Sequence, residues 1–357
     1  MSHTILALNS GSSSLKASLF RPDGSRRDWR YALLGAHGQA SALEVLFQEM
    51  DGEMPEAIGH RFVHGGDIAD AARWLDAAEM DRLRALNHLA PLHLPNNLLG
   101  VKLCQARFSV PQVACFDTAF HHTLPELAQR LPIPQALGLR RYGFHGLNYA
   151  YIAAQLPALL GAAAQGRIVV AHLGSGASLC LLHELKSVDT SMGYTPAGGI
   201  PMATRSGDLD PGVMLELAQH HDAASLSDMV YHQMGLLALS EGESSDMATL
   251  LASPSAPAQF SVEYFCQQVR AAIGAYAAKA GGIDALVFSG GIGEHAASIR
   301  QRICAPLSFL GLRLDEAAND QHAIHLQASD SKPILCVAAQ EETHMRDLVE
   351  TLLTQAR

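Results

Sequence analysis

The sequence predicts an α/β protein of two lobes, and three observations carry that expectation. The first is length, since 357 residues are many for one hydrophobic core. The second is composition. Apolar residues make up 48% of the chain and charged ones 17%, the balance of an ordinary globular enzyme rather than of a disordered or collagenous chain. The third is a repeated layout. Residues 4–8 are apolar, a Gly/Ser turn follows at Asn9-Ser10-Gly11-Ser12-Ser13-Ser14, and Leu15-Lys16-Ala17-Ser18-Leu19-Phe20 reads as a return strand. Residues 168–182 do the same, with the turn at Leu173-Gly174-Ser175-Gly176. In this alignment Gly11 falls on Gly174 and Ser12 on Ser175. Two unrelated hairpins would give the same local pattern; a duplicated chain would explain why each half opens with one.

The other elements follow in order. Ala57–His64 reads as a strand with His60 and His64 on one face, a spacing that favours strand residues over a metal site. Helical periodicity covers 68–89, 97–108, 148–161, 211–222, 260–280 and 341–355. A third apolar run, Ala285–Ser289, enters the turn Gly290-Gly291-Ile292-Gly293-Glu294 and then a helix over 296–302. Strand, glycine turn and helix start make a generic nucleotide or anion site. A strand over 333–338 precedes the last helix. The chain contains no GxxxxGK[ST], and no GxGxxG opens a helix, so a nucleotide would be held by hairpins and not by a P-loop.

Composition also excludes partners. Against 25 Lys+Arg stand 35 Asp+Glu, and a net charge of −10 repels nucleic acid and anionic membranes. No apolar run reaches the roughly 20 residues that span a bilayer, and no signal peptide is recognisable. The six cysteines form no CxxC and sit mostly in apolar runs, as small buried hydrophobes in a reducing compartment do. The expected location is the cytoplasm.

Four polar residues stand in unusual contexts. Arg61 closes a strand before His64-Gly65-Gly66, and Arg205 sits in Thr204-Arg205-Ser206-Gly207-Asp208. Each would ordinarily be a surface cation; the turns favour anion binding, because a guanidinium can chelate carboxylate or phosphate with two N–H bonds. Asp117 follows an apolar strand, where a helix cap is the competing reading. His145 lies between Phe144 and Gly146, where a structural loop histidine is the competing reading. Together they suit phosphoryl transfer to a carboxylate. Such an acceptor, with a pKa of about 4, is already ionised and needs no base. What it needs is cations that hold two anions in line.

The strings Asn9-Ser10-Gly11-Ser12-Ser13-Ser14-Leu15-Lys16, Gly59-His60-Arg61-Phe62-Val63-His64-Gly65-Gly66, Ala90-Pro91-Leu92-His93, Phe116-Asp117-Thr118-Ala119-Phe120-His121, Arg141-Tyr142-Gly143-Phe144-His145-Gly146 and Thr204-Arg205-Ser206-Gly207-Asp208-Leu209-Asp210-Pro211 resemble the acetate kinase family, from about residue 4 to about residue 348. The family lies within the actin-like sugar kinase and heat-shock ATPase superfamily. The resemblance implies a duplicated actin-like (ribonuclease H-like) ATPase fold, two lobes with a central cleft, and a homodimer. The first lobe would be 1–120 plus about 340–357, with the acceptor and the phosphate hairpin. The second, 121–339, would bind nucleotide and dimerise. It implies Mg²⁺ (or Mn²⁺) and the reversible reaction of ATP and acetate to acetyl phosphate and ADP.

By motif, Asn9 and Glu341 would hold the metal, and Ser12, Ser14 and Lys16 would line the phosphate hairpin. Arg61 would grip the acceptor, Arg205 and His145 would neutralise the transferring group, and Asp117 would orient Mg²⁺ or arginine. Val63, Leu92, Phe144 and Pro196 would form the pocket for the methyl group. His172, Gly174, Ser175, Gly176, Asp246, Gly291, Ile292, Gly293, Glu294 and His295 would meet the nucleotide.

The chain departs from the family mostly on the donor side. Ser175 stands for the family's asparagine, His295 for another asparagine, Ala248 for an arginine near the ribose, and Ala203 for the glycine before Thr204. The Thr-Asn-Glu-Glu before the last helix is Ala339-Gln340-Glu341-Glu342, and after Gly146 the usual Thr-Ser-His is Leu147-Asn148-Tyr149. The chain is also shorter between Ser14 and Arg61. Besides an acetate kinase with a re-packed adenosine pocket, these changes admit a kinase of altered donor (another nucleotide, pyrophosphate) or acceptor (propionate, another short acid), and an inactive nucleotide-binding sensor.

Overall fold

A computed structural model describes residues 3–11, 14–32, 38–90 and 93–356. The chain divides into two compact units. The first comprises Met1–His122, His145–Tyr151 and Gln340–Arg357; the second comprises Thr123–Phe144 and Ile152–Ala339. The segment 145–151 thus clusters with the first unit although it lies inside the stretch 121–339.

The first unit is built on a six-stranded sheet in the order β3-β2-β1-β4-β6-β5. Its strands are β1 (Ile5–Ser10), β2 (Ser14–Phe20), β3 (Arg26–Ala32), β4 (Ala57–Phe62), β5 (Ala72–Trp74) and β6 (Gln112–Phe116). β1, β4 and β6 run parallel, while β2, β3 and β5 pair antiparallel. β1 is buried along its whole length, as a central strand covered on both faces must be.

The two-residue period of a strand sorts its side chains. Leu6 and Leu8 join Leu43 and Leu46 of helix α1 (Gly38–Glu49), along with Ile58 and Cys104. Ile5 and Ala7 join Ala57, Val113, Cys115 and the C-terminal helix Glu341–Gln355 through Met345 and Val349. That helix lies close to β4. A Cβ on Gly59 would come within 2.9 Å of a Val349 methyl, so a side chain at residue 59 would displace Val349.

The second unit carries a five-stranded sheet in the order β11-β10-β7-β8-β9. Its strands are β7 (Arg167–Leu173), β8 (Ala177–His183), β9 (Lys186–Thr190), β10 (Ala285–Ser289) and β11 (Ile334–Cys336). Reversed, this is the order 9-8-7-10-11, which repeats 3-2-1-4-6 strand for strand. In each, an antiparallel meander is followed by two strands parallel to its first member. Both hairpins leave three residues between their strands, Gly11–Ser13 and Gly174–Gly176. The duplication suggested by two glycine turns is therefore a property of both sheets.

One helical expectation divides. Over 68–89 the chain forms β5, pairing with β6, then helix α2 (Ala77–Ala85) and a 3-10 turn at Leu86–His88. The boundary is Asp76, whose carboxylate accepts from Glu79 N at 2.8 Å. The helix expected over 260–280 starts earlier, at Ala256, because Ser255 caps it and Pro257 fits its first turn; Gly281 closes it at φ +70°. All six cysteines are buried free thiols. No helix among the described residues is long and apolar enough to cross a membrane.

His60 points away from the C-terminal helix and is buried, with its Nε2 2.7 Å from Gln112 Oε1. Burial holds its pKa down, at about 4. The unfolded chain therefore takes up a proton near pH 6.5 that the folded chain refuses until about pH 4. Stability must fall as pH drops through that window, by up to about 3 kcal/mol from this residue. Urea denaturation at pH 7 and pH 4.5 should register the loss, and His60→Gln should reduce it. An equal pH slope in the variant would contradict the assignment.

Candidate active site

Three parallel strands end side by side in the first unit, and each delivers a polar residue in the same phase. Asn9 continues the face of Ile5 and Ala7, Arg61 that of Ala57 and Gly59, and Asp117 that of Val113 and Cys115. Carboxyl ends of parallel strands are where open α/β sheets place their sites. Glu341 and Glu342 open the C-terminal helix packed on that face.

The five residues form one network. Arg61 donates from Nε and Nη2 to Asp117 Oδ2, at 3.1 and 2.5 Å, and from Nη1 to Asn9 Oδ1 at 3.2 Å. The Asn9 amide donates to Glu341 Oε2 at 2.6 Å and to Glu342 Oε1 at 2.8 Å. These contacts fix the orientation of the Asn9 amide, with its oxygen toward the cation and its nitrogen toward the acids. Asp117 is 0% exposed and Arg61 13%.

Burial pushes the Asp117 carboxyl above its usual range; Arg61 pulls it down and Glu341 pushes it further up. Burial works against the charge on Arg61, but Asp117, Glu341 and Glu342 outweigh it and leave the guanidinium more basic than usual. Asp117 also meets the helix-cap reading in part. Its Oδ1 lies 3.4 Å from Leu147 N, and its carbonyl accepts from Gly146 N at 2.9 Å.

A Cβ on Gly146 would collide with the Asp117 carbonyl, so the turn after His145 has to be glycine. His145 itself sits at φ +59°, a conformation a non-glycine residue holds only when its surroundings enforce it. Behind β1 and β4, Gln39 of α1 donates to Ser10 Oγ at 3.1 Å, beside a cavity of about 10 Å³ shared with His60, Asn97 and Gly100. Of the hairpin residues, Ser14 and Lys16 are half-buried on β2, with Lys16 opposite Asn9. Val63 is buried just past β4. Ser12 and Leu92 lie outside the described residues.

The remaining candidates belong to the second unit. His172 stands one residue before the end of β7, and Gly174, Ser175 and Gly176 form the tip of its hairpin. Gly290 at φ +76° packs so close to Leu173 that a Cβ would lie 2.7 Å from its carbonyl oxygen, which sets the glycine turn of β10 beside this hairpin. Gly291, Ile292, Gly293, Glu294 and His295 form the short helix that follows. Glu294 Oε1 accepts from Ala339 N at 2.9 Å.

Beneath that turn is a residue with no role in the sequence reading. Arg300 is completely buried and donates to the carbonyls of Gly293 and Glu294, both at 2.8 Å, and to Asn319. Asp246 caps the helix Met247–Ala252 through Thr249 N at 2.9 Å, and Ala248 is exposed in its first turn. Phe144 is buried and Pro196 carries the carbonyl to which Arg205 Nη1 donates, at 2.6 Å. Glu342 and Arg300 escaped notice for different reasons. Glu342 is one of two adjacent acids before a helix, and Arg300 looks like any surface arginine of an amphipathic helix. Neither carries a local signal of burial.

Known proteins resemble the chain over most of its length. A sequence model described as the acetokinase family matches residues 34–346. The acetate kinase of Rhodopseudomonas palustris is 42% identical over 93% of this chain and 94% of its own length. The propionate kinase of Citrobacter rodentium is 39% identical over 99% of this chain and 98% of its own. Among solved structures, a propionate kinase from Francisella tularensis superposes with a TM-score of 0.87 at 32% identity, covering 98% of this chain and 99% of that one.

Proposed function

The chain belongs to the acetokinase family and is a phosphotransferase whose acceptor is a carboxyl group; on that premise we propose that it moves the γ-phosphoryl group of ATP to acetate, reversibly, giving acetyl phosphate and ADP. Its fold is the duplicated actin-like, ribonuclease H-like one. The observation that carries the reading is the state of Arg61. A guanidinium has five N–H groups, and Asp117 and Asn9 take three of them. Among the described residues the other two have no partner, and a half-buried, permanently charged group presents them to an acceptor carboxylate. Asp117 is tied to Arg61 through Oδ2 and serves to orient it, and an acceptor that arrives ionised asks no base of it. Arg205 and His145 would neutralise charge as the phosphoryl group moves.

Mg²⁺ fits the donor set. No group of three or more His, Cys, Asp or Glu is arranged for a metal among the described residues. Magnesium, however, is typically held by one or two carboxylates together with phosphates and water. Glu341 and Glu342 supply hard oxygens of that kind, and Asn9 holds both through its amide nitrogen. Bound there, the ion would draw the phosphates toward Arg61 and offset their charge; the chain's own part is to keep Asn9 and the two acids aligned.

Propionate is the second acceptor to test, since both acetate and propionate kinases are among the relatives. An apolar pocket separates acids differing by one methylene by only about 1–3 kcal/mol. The deciding experiment sets ATP, GTP and pyrophosphate against acetate, propionate and butyrate, with the acyl phosphate trapped by hydroxylamine. ATP with acetate should give the highest kcat/KM. No acyl phosphate from any pair would end the kinase reading. We also read the protein as a cytoplasmic homodimer. Its thiols are buried and free, and Leu127, Leu137, Leu215 and Phe309 of the second unit expose apolar surface that a second copy would cover. A monomer mass by sedimentation at micromolar concentration would refute the dimer.

A further inference from the structure

We propose that Thr204 is a positioning residue for Arg205, acting through a brace formed by the π-helical turn Met229–Gln233 and Gly235. The inference rests on the role of Arg205 proposed above. The loop that carries Arg205 closes on itself, with Met202 N donating to Arg205 O at 2.9 Å. It is then bonded residue by residue to the segment after the π turn. Met234 N donates to Thr204 O at 3.0 Å, Leu236 N to Met202 O at 2.9 Å and Leu237 N to Ala203 O at 3.0 Å.

Between those bonds sits Gly235, at φ +66°. A Cβ there would strike the Met202 carbonyl and lie 2.6 and 2.8 Å from Arg205 O and N. The brace therefore touches the backbone of the arginine itself, and only glycine allows it.

The π turn takes a side-chain bond from the loop itself. Its wider winding is uncommon and tends to mark functional places. Here the Tyr231 carbonyl accepts from Thr204 Oγ1 at 2.7 Å. The brace is anchored in turn by Ser261, a fully buried residue of the helix Ala256–Ala280, whose hydroxyl donates to Leu236 O at 3.2 Å. From the other side, Ala203 N donates to Ser175 O at 3.1 Å, so the loop is also tied to the tip of the second glycine hairpin. Arg205 ends a long, flexible side chain. Fixing its backbone on both sides limits where the guanidinium can go, and a misplacement of about 1 Å can cost about 100-fold in rate.

Thr204→Val keeps the volume and removes the hydroxyl. It should lower kcat about 10- to 100-fold with KM for acetate and ATP within about twofold, while Thr204→Ser, which keeps the bond to Tyr231, should return kcat to near the parent. The decisive arm is a cycle. Added to Arg205→Ala, Thr204→Val should cost nothing further, because a positioning residue has no effect once the group it positions is gone. A parental kcat in Thr204→Val, or the same fold-loss in both backgrounds, overturns the inference. A parental kcat in Arg205→Ala overturns the role of Arg205 and the inference with it; the normal loss there, with Thr204→Val independent of it, overturns the inference alone.

Discussion

Arg205→Ala lowers kcat about 10³-fold or more and leaves the dissociation constant for ADP, measured by calorimetry, within a few-fold of the parent. The size follows from what is asked of the group. Acetate arrives ionised and ATP carries several negative charges, so the barrier is electrostatic, and an arginine set against a transferring phosphoryl group is worth about 10³–10⁵ in rate. The split between kcat and affinity follows from the structure. Arg205 is fixed by its own loop, by Pro196 and by the segment after the π turn, none of which lies in the glycine turn of β10. Removing the side chain beyond Cβ leaves those backbone bonds in place. Arg205→Lys should recover little, because an ammonium is a point charge without the planar fork. A variant that loses ADP affinity while keeping kcat would assign Arg205 to ground-state binding instead.

Arg61→Leu destabilises the fold by about 3–5 kcal/mol in urea denaturation and raises the KM for acetate steeply, with kcat falling as well. Asp117 is 0% exposed and has Arg61 as its cation, so the substitution strands a buried carboxylate. That carboxyl is already harder to ionise than usual, from burial first. In the variant it should take up a proton, and the stability deficit should grow with rising pH. A second substitution separates structure from chemistry. Arg61→Leu with Asp117→Leu removes both charges and should regain most of the stability, since a buried pair is often no better than apolar residues of similar size. Activity should not return. A single variant as stable as the parent, or a double variant that turns over, would contradict these assignments.

The site was legible where the residue type is unusual for its local context. Asn9 and Asp117 each follow an apolar run, Arg61 stands near the end of a strand before two glycines, and the period of two then puts all three on one face. The return strand β3 was not legible. Its seven residues include three arginines and an aspartate, and only Trp29 is buried, because it pairs along one edge alone. Helix α2 was visible but its start was not, since β5 is three residues long and Asp76 alone marks the border. What remained hidden depends on contacts between distant segments. Gln39 reaches Ser10 across 29 positions, Arg300 reaches Asn319 across 19, and the brace on Arg205 is made of backbone groups that no side-chain pattern announces. On the donor side, the exposed Ala248 and Ser175 could be seen to differ from the family, but their sequence says nothing of what replaces the lost contacts.

The first unit is drawn from three separate stretches of chain, and this sets an order on its synthesis. Its sheet is complete by residue 116, yet one face has little beyond Leu147 on it until Met345 and Val349 arrive to cover Ile5, Ala7 and Val113. At about 5–20 residues per second, the ribosome takes roughly 10–40 s to pass from residue 122 to residue 340. The second unit can close within that interval, because all of it except the stretch 123–144 is continuous. During translation the nascent protein therefore carries a naked apolar sheet surface for tens of seconds, the kind of surface that holdase chaperones bind. The same late segment brings Glu341 and Glu342 to Asn9. The acid pair and the missing half of the core are delivered together, so a chain released before residue 341 would lack both.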